Sequence, residues 1–225
     1  MLLGSLVASV PRAGSRVVLW GDSLADESRV PFALAAQEDR ATVLTRTLGG
    51  TAICDWFDEM ERQLKDWAPT IAVLSFSGNS MTPCMHDREP LAAYEKDAAH
   101  AISLFSGAGV TVDLVESPTR REEPVDGQGR TALTQLWTRL AAGQSHVHVL
   151  PAGRALTDSG RWTSTMSCRR SESCDSRGLV TVRNPDGVHL CPVAHTSSRD
   201  CPVYSPGAER YGRSMAGEAL GRYPM

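Results

Sequence analysis

The chain has 225 residues, 41% of them hydrophobic and 22% charged, with a formal net charge of -3. That length suits one domain with a sizeable core. There is no basic block and no interleaving of aromatic and basic residues, so the chain carries no nucleic-acid or anionic-membrane signature.

Residues 1–15 are expected to be an N-terminal segment, a leader or linker remnant, ahead of a domain over 16–225. Met1 to Val10 is apolar but lacks the basic start of a signal peptide, and it is too short to span a bilayer. No later stretch reads as transmembrane. Arg16 to Trp20 is the first strand candidate. It stops at Gly21, and Ser23 sits where a strand hands over to a helix. Amides at a helix start carry partial positive charge and can hold an oxyanion beside the hydroxyl, although Gly-Asp-Ser is also ordinary turn chemistry. Residues 24–40 have helical composition, and Pro31 predicts a broken or late-starting helix there.

Thr42 to Thr47 reads as a short second strand, ended by Leu48-Gly49-Gly50-Thr51. Trp56, Met60, Leu64 and Trp67 recur at intervals of three and four, which predicts a helix over 55–67. Ile71 to Phe76 is the clearest buried strand and ends in Ser77-Gly78-Asn79-Ser80. A long helix is predicted over 90–105 and a fourth strand over 110–115. Residues 119–130 read as a surface loop, 131–142 as a helix and 146–150 as a fifth strand. Five alternations of strand and helix predict an α/β fold, a parallel sheet with helices on both faces. Residues 152–203 break the pattern and read as a Cys-rich loop excursion. Ser205-Pro206 opens a last helix to about Leu220.

The six cysteines are Cys54, Cys84, Cys168, Cys174, Cys191 and Cys201. An even count predicts disulfides and an oxidising, exported location. The alternative is a zinc site. No Cys-x-x-Cys pair occurs, and Cys191-x3-His195-x5-Cys201 has poor ligand spacing.

In an open parallel sheet, ligands bind beyond the carboxyl ends of the strands. Three polar turns fall there, Gly21-Asp22-Ser23, Gly49-Gly50-Thr51 and Ser77-Gly78-Asn79, with Asn184-Pro185-Asp186-Gly187-Val188-His189 as a fourth element. A serine hydroxyl needs a base, which His189 can be, and Asp186 three residues earlier can hold the imidazole. The Ser23 amide, the Gly50 amide and the Asn79 side chain can supply oxyanion donors. Each residue also has a plainer reading: Asn79, Gly50 and Asp186 as turn residues, His189 as a surface histidine. His86, His100, His146, His148 and His195 are read as structural or surface residues. Asp22 is read as shaping its turn.

Together these blocks resemble the SGNH/GDSL hydrolase superfamily, over about residues 16–221. The resemblance implies a flavodoxin-like three-layer α/β/α sandwich with a central five-stranded parallel sheet, and a serine esterase or acyltransferase needing no cofactor or metal. It implies Ser23 as nucleophile, Asp186 and His189 as the acid–base pair, and Ser23, Gly50 and Asn79 as the oxyanion hole, with Gly50 preferred to Gly49. Position 25 is Ala25, so there is no Gly-x-Ser-x-Gly elbow. The string Gly49-Gly50-Thr51-Ala52-x-Cys54-Asp55-Trp56 and Cys84 are similar to exported bacterial members, free-standing or attached to membrane acyltransferases. That similarity implies a Cys54–Cys84 bridge, with Cys168–Cys174 and Cys191–Cys201 as the simplest local pairs.

The expected function is hydrolysis of O-acyl esters, on a carbohydrate or another small exported molecule, by a monomer. Acyl transfer by the same residues is the alternative, and a non-catalytic binding module a more distant one. Specificity is expected in loops after Asn79, in 119–130 and in 152–183, with Met81 and Met85 as acyl-pocket or core residues.

Overall fold

The computed structural model describes residues 14–194 and 201–221. The expected segment 1–15 therefore falls almost wholly outside the described residues, as does His195. Five parallel strands form the main sheet: β1 (Arg16–Gly21), β2 (Thr42–Thr47), β3 (Ile71–Ser75), β4 (Thr111–Val115) and β5 (Val147–Leu150), in the order β2-β1-β3-β4-β5. This is the flavodoxin-like order, and the strand sequence reverses between β1 and β3, the switch point where such sheets open a crevice. Apolar runs such as Ala72-Val73-Leu74 are buried because both faces of the sheet are covered.

The helices are α1 (Ser23–Glu38), α2 (Phe57–Asp66), α3 (Pro90–Gly107), α4 (Ala132–Ala141) and α5 (Pro206–Ala219). Strand residues alternate between faces, which divides the core in two. Val17, Leu19 and Val73 meet Phe32 and Ala36 of α1 and Tyr211 and Met215 of α5. Val18, Trp20, Ala72 and Leu74 meet Met60 of α2, Ala98 and Phe105 of α3, and Trp137 of α4. The result is the three-layer α/β/α arrangement.

Two local expectations are corrected. Helix α1 is neither broken nor late: it begins at Ser23 and runs through Pro31 to Glu38. Proline in a helix interior costs about 3 kcal/mol. Burial of Phe32, Ala35 and Ala36 just beyond it offsets that cost. The excursion after β5 is also more regular than expected. It holds a short helical turn over Ala152–Leu156 and two small antiparallel hairpins, β6 (Thr157–Asp158) with β7 (Arg161–Trp162) and β8 (Thr165–Ser167) with β9 (Leu179–Thr181). Strands of two or three residues leave no readable alternation.

All six cysteines are paired, as Cys54–Cys84, Cys168–Cys174 and Cys191–Cys201. The last pairing removes two of the three ligands from the alternative zinc set. No helix among the described residues is long and apolar enough to cross a membrane.

Candidate active site

Gly21 ends β1 against β3. A Cβ there would lie 2.4 Å from both the Ser75 carbonyl oxygen and the Ala25 Cβ, so only glycine lets strand and helix meet this closely. Asp22 follows as the N-cap of α1, and its Oδ1 accepts from the Leu24 amide at 3.1 Å. The cap engages Leu24 and leaves the Ser23 amide at the helix start, where an amide has no partner inside the helix. Ser23 itself is 8% exposed at the carboxyl edge of the sheet.

The structure brings His189 to Ser23, with Nε2 3.0 Å from Oγ. The other ring nitrogen, Nδ1, lies 2.6 Å from Asp186 Oδ2. A carboxylate only accepts, so Nδ1 carries the proton and Nε2 is the acceptor facing the serine hydroxyl. Asp186 Oδ1 accepts from the amides of Val188 at 2.7 Å and His189 at 3.0 Å. Burial alone would raise the Asp186 carboxyl. The His189 ring and these two amides outweigh it and hold the carboxyl below its ordinary value, ionised beside the imidazole.

The turn carrying this pair is fixed at several points. Asn184 Nδ2 donates to the carbonyls of Cys191 and Val193, and Asn184 Oδ1 accepts from the Asp186 amide. Arg121 donates its amide to the Gly187 carbonyl at 2.9 Å and its Nη2 to the Pro185 carbonyl at 3.0 Å. Its guanidinium lies over the Trp162 ring, 4.6 Å from the centroid. Gly187 has φ +84°, and a Cβ there would meet the Arg121 Cβ at 2.6 Å.

Asn79 lies beside the same edge. Its Nδ2 donates to Asp22 Oδ2 and to the Thr51 carbonyl, both at 3.1 Å, so the side-chain amide ties the turn after β3 to the turn after β2. Both of its protons are engaged in this state, so donation to any further acceptor would replace one of these bonds. The Asn79 carbonyl accepts from the buried Tyr94 hydroxyl of α3 at 3.1 Å. Gly50 is exposed in the turn closed by Thr51 N to Leu48 O, with φ +82°. Cys54 and Cys84 join the chain just after each turn.

Asp22 is fully buried and does not contact His189. Its Oδ2 accepts from the Ser77 amide at 2.6 Å, the Ser77 hydroxyl at 2.7 Å and Asn79. Burial pushes its carboxyl up, opposed by the Ser77 and Leu24 hydrogen bonds and by the charge of Arg120. Its place is thus to couple the start of α1 to the Asn79 turn, in line with the turn-shaping role expected. The supporting residues Arg121, Tyr94 and Ser77 carry no sequence signal of their own. Met85 is core, 2% exposed, whereas Met81 is 94% exposed. His148 pairs with Asp113 across β4 and β5 at 3.1 Å, His86 with Asp87 at 2.9 Å, and His100 packs edge-on against Phe57.

Neither a family model nor a curated protein matches the sequence. Solved structures do match. One is a GDSL-like lipase from Bacteroides thetaiotaomicron VPI-5482, with TM-score 0.58 and 10% identity, over 92% of this chain and 88% of that one. A lipase/acylhydrolase from Enterococcus faecalis matches with TM-score 0.58 and 15% identity, over 92% and 96%. A psychrotrophic esterase from Pseudoalteromonas sp., solved inhibited by monoethylphosphonate, matches with TM-score 0.53 and 12% identity, over 92% and 97%. With its parallel sheet in the order β2-β1-β3-β4-β5, the chain has the SGNH/GDSL hydrolase fold.

Proposed function

We propose that the protein is a serine esterase that hydrolyses O-acyl esters through Ser23, His189 and Asp186. The observation that carries this reading is the continuous hydrogen-bonded chain from Ser23 Oγ through both imidazole nitrogens to Asp186. In the first step Ser23 Oγ attacks the acyl carbonyl while its proton passes to His189 Nε2. Asp186 stabilises the imidazolium and keeps the ring oriented. The tetrahedral oxyanion takes hydrogen bonds from the Ser23 amide at the start of α1, from the Gly50 amide and from Asn79 Nδ2. Each such donor is typically worth about 3–4 kcal/mol in the transition state. His189 then protonates the leaving alcohol. Water, deprotonated by the same imidazole, releases the acid from the acyl-enzyme.

An alcohol that replaces that water makes the same residues an acyltransferase, and a sugar hydroxyl is the acceptor we consider. Small acyl groups on carbohydrates or other exported molecules are the substrate class proposed. Three disulfides are compatible with export, to a compartment where such bridges persist. We take the protein to act as a monomer, alone or joined to a membrane acyltransferase.

A panel of 4-nitrophenyl esters and acetylated sugars, with a fluorophosphonate probe alongside, tests the reading. Turnover of short acyl esters and a single phosphonate adduct on Ser23 are expected, and product analysis with an added sugar acceptor separates hydrolysis from transfer. A protein that takes up no phosphonate at Ser23 and turns over no ester is not a serine esterase.

A further inference from the structure

Ser23 and Glu27 are four residues apart on α1, so their side chains share one face, one turn apart. Glu27 does not point along the substrate edge. Its Oε2 accepts from the Leu190 amide at 2.7 Å and its Oε1 from the Cys191 amide at 3.4 Å. These are the two residues immediately after His189. The Leu190 carbonyl is held in turn by the Ser205 hydroxyl, the N-cap of α5, at 2.8 Å. Charge-assisted bonds from backbone amides to a carboxylate are about twice as strong as neutral ones. Glu27 therefore links the helix that carries the nucleophile directly to the segment that carries the base.

Arg183 supports this placement. It is 1% exposed and donates Nη2 to the Thr119 carbonyl at 3.0 Å, while its Nε and Nη1 have no hydrogen-bond partner. Burial pushes its guanidinium down to about 10, and the Glu27 charge is the largest influence opposing that shift, followed by Asp186. The charges of Glu27 and Asp186 thus favour retention of this buried cation.

We propose that Glu27 is a positioning residue of the catalytic centre, setting the Ser23–His189 distance by clamping the Leu190 and Cys191 amides to α1. The inference rests on the esterase reading for its kinetic consequence but not for its structural one. Arg121 also holds this turn, through the Pro185 and Gly187 carbonyls. The catalytic turn is then gripped at Pro185 and Gly187 by Arg121 and just after His189 by Glu27, and the Glu27 grip is the one that refers it to the nucleophile helix. Near-attack geometry is sensitive, since a displacement of about 1 Å can cost about 100-fold in rate.

The test compares Glu27→Ala and Glu27→Gln with the unaltered protein by two readouts. The first is the low-field proton resonance of the His189 Nδ1–H facing Asp186, which needs no substrate. The second is kcat and KM on 4-nitrophenyl acetate. In Glu27→Ala we expect the resonance to shift or broaden beyond detection and kcat to fall about 10- to 100-fold, with KM within about twofold. Glu27→Gln keeps one side-chain carbonyl acceptor for the Leu190 amide, so it is expected to recover most of kcat and the resonance. An unchanged resonance in Glu27→Ala overturns the proposal, whatever kcat does. So do equal losses in both variants that track their melting temperatures. If the unaltered protein neither hydrolyses ester nor takes up phosphonate, the esterase reading fails, and the resonance still decides whether Glu27 positions His189.

Discussion

Ser23→Ala is expected to lower kcat on a short acyl ester by about 10⁶-fold. On the esterase reading proposed above, the size follows from the loss of the covalent path. Without the hydroxyl, the oxyanion donors can act only on direct attack by water, and donors with substrate binding alone leave roughly 10³–10⁴-fold over the uncatalysed rate. His189→Ala is expected to cost about as much, and the double variant little more, because the two act as one unit. The fold is expected to survive both changes. Ser23→Ala removes a single hydroxyl at the start of α1, and His189 is a third exposed. Steady-state kinetics with circular dichroism as the folding control check this. Retention of turnover to within tenfold in Ser23→Ala would remove the nucleophile assignment.

Arg210→Ala is expected to destabilise the protein by about 3–5 kcal/mol. Arg210 of α5 and Glu172 are nearly inaccessible, at 3% and 2% side-chain exposure. The guanidinium binds both carboxylate oxygens, Nε to Oε1 at 2.8 Å and Nη2 to Oε2 at 2.6 Å, and Nη2 also reaches the Ser167 carbonyl at 2.7 Å. Removing the cation strands a buried carboxylate and an unpaired carbonyl, which costs far more than the intact pair contributes. Glu172 sits inside the Cys168–Cys174 loop, so this pair seats the excursion on α5. Replacing both partners by apolar residues is expected to restore much of the loss. The Arg210 hydrogen bonds hold the Glu172 carboxyl below its ordinary value. Its contribution is therefore present above the ordinary carboxylate range and fades as pH falls through the lower folded value. Urea unfolding at neutral and acid pH measures both effects, and a change below about 1 kcal/mol for Arg210→Ala contradicts this account.

The main sheet and the four blocks at its edge were legible because each writes a local pattern. Ile71 to Leu74 is an uninterrupted apolar run, and Gly21-Asp22-Ser23 and Asp186 to His189 are short polar turns that stand out locally in the sequence. What was not legible depends on contacts between distant segments. Pro31 argued against α1, and only the packing of Phe32 and Ala36 under α5 decides the matter. Glu27 looks like any surface carboxylate of a helix until residues 163 positions away arrive beside it. Arg183 is a charge in an apolar stretch, Leu179-Val180-Thr181-Val182, and nothing local marks it as buried. Arg121 lies in a charged loop that sequence alone assigns to solvent. The hairpins of the excursion are too short for periodicity and owe their place to Arg210 and to Thr119, whose hydroxyl donates to the Gly160 carbonyl at 2.7 Å.

The Cys54–Cys84 bridge closes a loop of 30 residues, and that loop contains all of β3. Its two ends lie just past the turns that carry Gly50 and Asn79, while the sheet between them is held by its own ladder and core. The bridge is thus a covalent second link between turns that Asn79 already joins by its hydrogen bond to the Thr51 carbonyl. On the esterase reading proposed above, the bridge would fix the relative place of the two proposed oxyanion donors, Gly50 and Asn79.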